Sequence, residues 1–271
     1  MTRFSLLTLT LVLALHSAAA QTPASPPGAR DVGAAEPVDR AIAAVYPSLV
    51  RISVVALQWA GGRELRREAS GSGTIVSADG YVITNHHVAG RVDRIVCTLS
   101  TNEEIAATLV GTDAMSDIAV LKLTPDRPRV FPAARFGRSA GLRRGEPVLA
   151  MGSPLSLSQS VTRGIVSNTD MVMPQVFGDA LGALDGEDVG TIVKWIGHDA
   201  AIYPGNSGGP LVNLAGEIIG INEINFGLSG AIPVDLAKGV YDAIRSHGRV
   251  ERSALGLSVQ PRVDGVAGPG A

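Results

Sequence analysis

The sequence predicts an all-β fold of antiparallel barrels with one helix near its end, and three observations lead to this prediction. Glycine and proline are frequent, at 32 and 16 of the 271 residues, whereas aromatic side chains make up only 4%. Short apolar runs follow one another along the chain, most of them separated by glycine or polar turns. A helical period becomes visible only near the end. Many short strands joined by tight turns are typical of sandwiches and barrels rather than of helical bundles.

Residues 1–20 have the organisation of a secretory signal peptide. Arg3 gives a positive start, FSLLTLTLVLALHS an apolar core, and SAAA the small residues before an expected cleavage after Ala20. The apolar core is shorter than the roughly 20 residues that a membrane-spanning helix needs, which argues against an anchor. We therefore expect export, to the periplasm or out of the cell. Residues 21–37, rich in Pro, Ala and Gly, are expected to form a flexible lead-in.

The folded domain is expected to span residues 38–248. A short helical turn is predicted before the first strand, and GTIVS and YVITN flank an Asp79-Gly80 turn, which predicts a hairpin. Leu236, Val240 and Ile244 recur at helical spacing and predict one amphipathic helix that stops at Gly248. The further predicted strands are DRIVCTLS, EIAATLVG, DIAVLKL, EPVLAMG, SVTRGIVS, TIVKWIG, PLVNLAG and EIIGINEI.

Charge and cysteine content exclude some functions. The net charge is −2 with no long run of one sign, so we expect no nucleic acid as a partner. The short charged cluster RELRRE, residues 63–68, is interpreted as a solvated loop, and residues 171–190 as a long surface loop. Cys97 is the only cysteine and alternates within a strand-like run, so we expect a buried thiol rather than a nucleophile.

Ser207 lies in the string IYPGNSGGPLVN, which two folds could use. GNSGG satisfies the nucleophile elbow of α/β-hydrolases, and Asp235 and His247 follow in the order which that fold requires. The elbow should be followed by a helix, however, and here Pro210 and two strand-like runs follow instead. The upstream strands do not alternate with helices either, which argues against a parallel sheet.

The second possibility is a histidine, an acid and a serine in that order on a β-barrel scaffold. YVITNHHVAG ends a strand with His86 and His87, SDIAVLKL places Asp117 at the edge of an apolar strand, and Ser207 follows in its glycine-rich turn. These three positions suit a serine nucleophile, its general base and the acid that orients the base.

Three blocks of the sequence resemble the HtrA (Deg) family of secreted serine proteases. They are GSGTIVSADGYVITNHHV, TDAMSDIAVLKL and DAAIYPGNSGGPLVNLAGEIIGIN, and the resemblance extends in order from about residue 40 to about residue 245. It implies two six-stranded antiparallel β-barrels of the trypsin type. It also selects His87 over His86 and Asp117 over Asp113, with Ser207 as the nucleophile.

Further site residues follow from the same resemblance. The backbone N–H groups of Gly205 and Ser207 are expected to form an oxyanion hole. Ala201, Ile202 and Phe226 are the candidate substrate-binding residues, and because none is charged we expect small to medium apolar side chains in the pocket. Adjacent His198 and Asp199 have no third ligand and are interpreted as structural, so neither a metal nor a cofactor is expected.

The implied substrates are unfolded polypeptides among exported proteins, and the implied oligomer is a trimer. Residues 249–271 resemble only the start of the PDZ domain that many members carry, and we expect no complete PDZ domain there. The alternative function is a binding protein or holdase that uses the protease fold without cleaving. We also expect that the loop 171–190 influences whether the oxyanion pocket is ordered.

Overall fold

The computed structural model describes residues 36–60, 63–153, 160–172, 183–184, 187–225 and 228–252. The predicted signal peptide and nearly all of the predicted lead-in lie outside this part of the chain. Three α-helices occur within it: α1 (Pro37–Val45), α2 (His86–Ala89) and α3 (Val234–His247). None of the helices in the described ranges is long and apolar enough to cross a membrane.

The first six strands close into an antiparallel barrel in the order β1-β2-β3-β6-β5-β4. The long hairpin β1–β2 pairs residue by residue from Leu49 with Thr74 to Ala60 with Arg63. The strands are β1 (Leu49–Ala60), β2 (Arg63–Ile75), β3 (Tyr81–Asn85), β4 (Arg94–Thr98), β5 (Glu104–Asp113) and β6 (Ile118–Leu123).

The second half of the chain forms another antiparallel barrel. Its strands follow the order β13-β8-β9-β12-β15-β14, and the pairing of β13 with β14 closes the ring, while β7 joins β14 from outside in parallel. The strands are β7 (Arg135–Phe136), β8 (Pro147–Gly152), β9 (Ser160–Met171), β12 (Trp195–His198), β13 (Pro210–Asn213), β14 (Glu217–Asn225) and β15 (Ser229–Pro233). The predicted all-β fold of two six-stranded barrels with a C-terminal helix is therefore confirmed.

Two loop predictions differ from the structure. RELRRE is not a loop, because residues 63–68 belong to β2 and pair with β1 along the whole hairpin arm. Its charged residues at 66–68 are exposed, so the interpretation as solvated was right and only the backbone state was wrong. The predicted loop 171–190 contains the two-residue strands β10 (Ala183–Leu184) and β11 (Glu187–Asp188), which pair with each other; residues 173–182 and 185–186 lie outside the described chain.

Apolar side chains fill each barrel and the space between them. Cys97 of β4 is fully buried among the aliphatic side chains of the first barrel, as predicted, and burial raises the pKa of its thiol to about 12. Between the barrels, α3 buries Val240, Tyr241 and Ile244 in a cluster that includes residues of both. Burying these surfaces outweighs the chain entropy that ordering short strands costs.

The end of α3 rests on a bulge in β5. The helix stops where the Gly248 N–H donates to the Ile244 carbonyl at 2.7 Å, and Gly248 has the left-handed conformation, with φ 74°, that glycine adopts without strain. A Cβ atom on Gly111 would lie 2.5 Å from the Gly248 carbonyl oxygen, so only glycine allows this approach. The bulge lies between Leu109 and Gly111.

Candidate active site

His87 is presented by the single helical turn α2, which follows β3 directly. The two neighbouring histidines face different surroundings. His86 is buried, and its Nδ1 lies 2.6 Å from Thr112 Oγ1. His87 keeps 22% of its side chain exposed, and its Nδ1 lies 2.7 Å from Asp117 Oδ2. The structure thus separates a histidine held within the barrel from one that faces the surface between the barrels.

Asp117 is buried and holds His87 through two hydrogen bonds. Its Oδ1 accepts from the His87 backbone N–H at 2.9 Å, and its Oδ2 pairs with the His87 ring at 2.7 Å. A carboxylate only accepts, so Nδ1 carries the proton and Nε2 is left with a free lone pair that can take one. Asp113, the acid set aside by the family resemblance, binds the Ser116 hydroxyl and the Arg252 guanidinium instead.

The backbone of Asp117 is unusual. It follows the 3-10 turn Ala114–Ser116 and has φ 54° and ψ 38°, the left-handed conformation that few residues other than glycine adopt. Its carbonyl accepts from the His86 N–H and from Asn85 Nδ2, each at 3.0 Å. These contacts to the end of β3 hold a strained residue in place, so its carboxylate faces His87.

Ser207 lies in a tight turn of the second barrel, where Gly205 and Gly208 have φ values of 102° and 83°. The Asn206 N–H donates to the Tyr203 carbonyl and the Gly208 N–H to the Asn222 carbonyl, both at 2.9 Å. Within the described residues, no acceptor is found for the N–H groups of Gly205 and Ser207. These two N–H groups flank Asn206, and neighbouring backbone N–H groups of this kind can bind an anion.

Ser72 of the first barrel fixes the orientation of that turn. Its N–H donates to the Ser207 carbonyl at 2.8 Å and its hydroxyl to the Gly205 carbonyl at 2.6 Å. The same hydroxyl accepts from the Ser153 N–H at 2.8 Å. A Cβ atom on Gly208 would collide with the Ser72 carbonyl, so glycine is required for this close approach of the two barrels.

The Ser207 hydroxyl donates to the backbone carbonyl of Glu223 at 2.9 Å. Its proton is therefore directed at β14 in this structure. To donate to any other group, the hydroxyl would have to give up this neutral hydrogen bond, whose net contribution is about 1 kcal/mol.

Glu223 is a site residue that the sequence analysis missed. His87, Asp117 and Glu223 each offer an N or O atom, and these three atoms lie within 4.8 Å of one another. Burial raises the pKa of the Glu223 carboxyl well above its usual range, and the neighbouring Asp117 raises it further. The available signal was the acid at position 223, which lies among the apolar residues of EIIGINEI, where a charge needs a partner.

Of the three predicted substrate-binding residues, the structure describes Ala201 and Ile202. Ile202 is buried among the aliphatic side chains of the second barrel, with 6% of its surface exposed. The Ala201 carbonyl accepts from Thr162 Oγ1 at 2.7 Å, while Tyr203 beside them is 58% exposed. Phe226 lies outside the described residues.

The other polar residues considered from the sequence, His198, Asp199 and Asp235, lie within the secondary structure or hydrogen-bond to it. His198 is buried in β12, and burial lowers the pKa of its imidazole to about 4, so the ring is neutral at physiological pH. Asp199 accepts from the Ile165 N–H at 2.7 Å. Asp235, the acid considered for a hydrolase elbow, lies in the first turn of α3 and accepts from the N–H groups of Ser139 and Ala140.

Comparison with known proteins finds the same domain. The model of a family described as trypsin-like peptidase domain matches residues 71–221. A probable periplasmic serine endoprotease DegP-like of Pseudomonas savastanoi pv. phaseolicola is 42% identical over 207 residues, which are 74% of this chain and 40% of the relative. The protein of the same description from Halomonas elongata is 43% identical over 209 residues, with the same coverage of 74% and 40%. The chain thus spans about two fifths of the length of these curated relatives, 40% in each case.

Solved structures agree with these relatives. The HtrA-type protease AlgW with decapeptide has a TM-score of 0.67 and 35% identity, covering 81% of this chain and 71% of its own. The structure of AlgW with tripeptide has a TM-score of 0.64 and 36% identity, and the match covers 78% of this chain and 64% of that protein's chain.

Proposed function

The chain belongs to the trypsin-like peptidases of HtrA type, and from this premise we propose that it is an exported serine endopeptidase acting on unfolded or misfolded proteins. One observation carries the proposal. His87 Nδ1 pairs at 2.7 Å with the buried carboxylate of Asp117, in the barrel to which the glycine-rich turn of Ser207 is bonded through Ser72. Such a pair prepares an imidazole to accept a proton, which is what a serine nucleophile requires at neutral pH.

The proposed chemistry divides the work among three side chains. Ser207 Oγ attacks the scissile carbonyl while His87 Nε2 takes its proton, and the same nitrogen later gives the proton to the leaving amine. Asp117 keeps the ring in the required tautomer and stabilises the imidazolium that forms in between. After the acyl-enzyme has formed, water repeats the attack and releases the second product.

The N–H groups of Gly205 and Ser207 are proposed to stabilise the oxyanion. Each such donor contributes about 3–4 kcal/mol to the transition state when it is held in place before the reaction. The hydrogen bonds of Ser72 to the carbonyls of Gly205 and Ser207 support this role, because they fix the peptide planes on both sides of Asn206.

An extended peptide is the substrate form that the site favours. Asn222, Ile224 and Asn225 of β14 pair with β15 on one side. On the other side, no strand pairing is found for residues 223–225 within the described chain, so a substrate backbone could add there as a further strand. The uncharged Ala201 and Ile202, with Phe226, are proposed to favour small to medium apolar side chains.

Location and assembly are proposed from the relatives. The curated relatives are named as periplasmic, and residues 1–20 have the pattern of a signal peptide, so the periplasm is the proposed compartment. A trimer remains the proposed oligomer by family resemblance, and mass measurement in solution tests it.

Covalent labelling with a fluorophosphonate probe tests the proposed activity. We expect the protein to be labelled, and labelling to disappear in Ser207→Ala and to fall steeply in His87→Ala, because the probe reports an activated serine. His86→Ala is the matched control, since the buried neighbour is not proposed to touch the serine, and it should still be labelled. An absence of labelling under all conditions, including an added unfolded polypeptide, would instead favour the protease-fold binding protein.

A further inference from the structure

Glu223 occupies a special position in β14. In the pairing with β15, Asn222 lies opposite Ala231 and Ile224 opposite Gly230, so Glu223 is the extra residue of a β-bulge. A bulge turns a side chain out of the regular alternation of the strand. Here it brings the carboxyl toward Asp117 and His87, within 4.8 Å of their polar atoms. No step of the proposed mechanism uses this side chain.

One oxygen of the Glu223 carboxyl lacks a donor within the described chain. Its Oε2 atom is buried, and no hydrogen-bond partner for this atom is found among the described residues. Asp117 is the opposite case, because its two oxygens accept from the His87 backbone and ring. A buried carboxylate and a second one whose inner oxygen is shielded from water cannot both be ionised at close range without a large cost. A single proton on Glu223 removes the repulsion and gives the pair a hydrogen bond.

The proton belongs to Glu223 rather than to Asp117. The Asp117 carboxylate accepts from two donors, whereas no donor is found for Glu223 Oε2 within the described chain and desolvation favours the neutral form of that carboxyl. The direction of the Glu223 pKa, raised by burial and by Asp117, agrees with this assignment. A neutral carboxylic acid can donate, and its natural acceptor here is the Asp117 carboxylate.

We propose that Glu223 is a positioning residue of the proposed peptidase, which stays neutral in the working enzyme and donates its carboxyl proton to Asp117. This inference rests on the proposed function. The hydrogen bond from Glu223 adds a third donor to the Asp117 carboxylate and restrains it against His87. Glu223 acts only through Asp117.

The proposal predicts a characteristic pH dependence. As the pH rises through the raised pKa of Glu223, the carboxyl loses its proton, the donor to Asp117 disappears, and a second negative charge repels that carboxylate. The titratable groups that face Glu223 in the described chain are Asp117 and His87. The flanking residues on β15, Gly230 and Ala231, carry no charge, and neither does Gly190 beside its other oxygen. Hydrolysis should therefore fall at alkaline pH.

The test compares the pH profiles of peptide hydrolysis for the wild type, Glu223→Gln, Glu223→Ala and Glu217→Gln, from about pH 6 to about pH 10. Glu223→Gln keeps a donor that cannot ionise, so its alkaline fall should be absent. Glu223→Ala removes the donor, and we expect roughly tenfold lower kcat/KM at neutral pH with similar KM. Glu217→Gln is the matched control, since it makes the same change at the far end of β14 and should reproduce the wild-type profile.

A second readout does not depend on turnover. In Ser207→Ala, the low-field proton resonance of His87 Nδ1–H should shift in a single step at alkaline pH, and the added Glu223→Gln change should abolish that step. If the wild type is labelled by the fluorophosphonate probe but all four proteins have the same alkaline pH profile, the inference about Glu223 is wrong and the proposed peptidase activity is unaffected. An unlabelled wild type would overturn the peptidase itself. Inhibition by zinc chloride that is lost in Glu223→Gln and reversed by a chelator would assign the three groups to a metal instead.

Discussion

A single residue, Asp117, combines backbone strain with the charge on which the proposed chemistry depends. Its left-handed conformation, with φ 54°, lets the chain turn from the 3-10 turn into β6 and aim the carboxylate back at His87. Asp and Asn tolerate this conformation better than other residues with a side chain. Geometry and chemistry therefore restrict this position independently.

Two substitutions at this residue separate the two requirements. Asp117→Asn keeps a side chain that accepts the left-handed backbone but removes the charge, so we expect kcat to fall roughly 10⁴-fold with little loss of stability. Asp117→Ala should lower activity similarly and also reduce the free energy of unfolding by about 1 kcal/mol more than Asn does. Peptide hydrolysis measures the loss of kcat in both variants, and urea unfolding measures the difference in their stability. Equal stability of the two would show that the backbone conformation carries no strain.

The sequence could predict the order of His87, Asp117 and Ser207, because the glycine turn and the strand ends are visible as patterns. It could not by itself decide between His86 and His87, since two adjacent histidines after a strand differ only in which way α2 points each of them. For Glu223 the sequence offered an acid among apolar residues but not the partner of that acid. Its side chain meets Asp117 only because of a bulge whose register depends on β15, which is set by pairing across the sheet.

At the scale of elements, the contact between α3 and β5 ties the C-terminal helix to the first barrel. The periodicity of Leu236, Val240 and Ile244 predicted the helix, but the buried face also includes Ala237 and Tyr241. The sequence did not predict where the end of α3 packs, because the β-bulge between Leu109 and Gly111 leaves no local pattern. RELRRE shows the converse error, in which an exposed, charged strand of a long hairpin was mistaken for a loop.

Two glycine substitutions test the α3 contact. In Gly111→Ala the new methyl group would meet the Gly248 carbonyl at 2.5 Å and Ile244 Cγ2 at 2.9 Å. Because a backbone atom cannot move aside, we expect a loss of about 1–3 kcal/mol in the free energy of unfolding. Gly239→Ala is the control on the same helix, where no atom lies within 4 Å of the new methyl, and it should stabilise by about 0.5–1 kcal/mol. Urea unfolding of both variants measures these changes in stability. If Gly111→Ala had the wild-type free energy of unfolding, the end of α3 would be able to shift without cost.

At the scale of the whole molecule, the site exists because two separately closed barrels meet. The first supplies His87 and Asp117, the second supplies Ser207 and Glu223, and Ser72 bonds the two together at the turn that carries Ser207. Strand content and turn spacing predict barrels, but closure depends on pairings between distant strands such as β1 with β4 and β13 with β14. The family resemblance, rather than the periodicity, was what implied two of them.

The junction is tested by Ser72→Ala. Removing this hydroxyl leaves the Gly205 carbonyl without its 2.6 Å partner and the Ser153 N–H without its 2.8 Å acceptor. We expect about 1–3 kcal/mol lower stability and, because the oxyanion donors lose their support, a roughly 10- to 100-fold lower kcat.

Thr74→Val provides the control two residues along β2. The Thr74 hydroxyl is buried, and no partner for it is found in the described chain, so its removal should leave turnover unchanged and stability equal or higher. If Ser72→Ala turned over substrate as fast as Thr74→Val, the link between the barrels would have no part in catalysis.

The buried Cys97 makes the molecule convenient for site-specific spectroscopy. Its thiol is enclosed by the first barrel and its pKa of about 12 keeps it protonated, so maleimide reagents have no native target in the folded protein. One introduced cysteine can then carry a fluorophore as the sole label. Tyr203, which is 58% exposed and four positions before Ser207, is a suitable place for a dye that reports the arrival of a peptide.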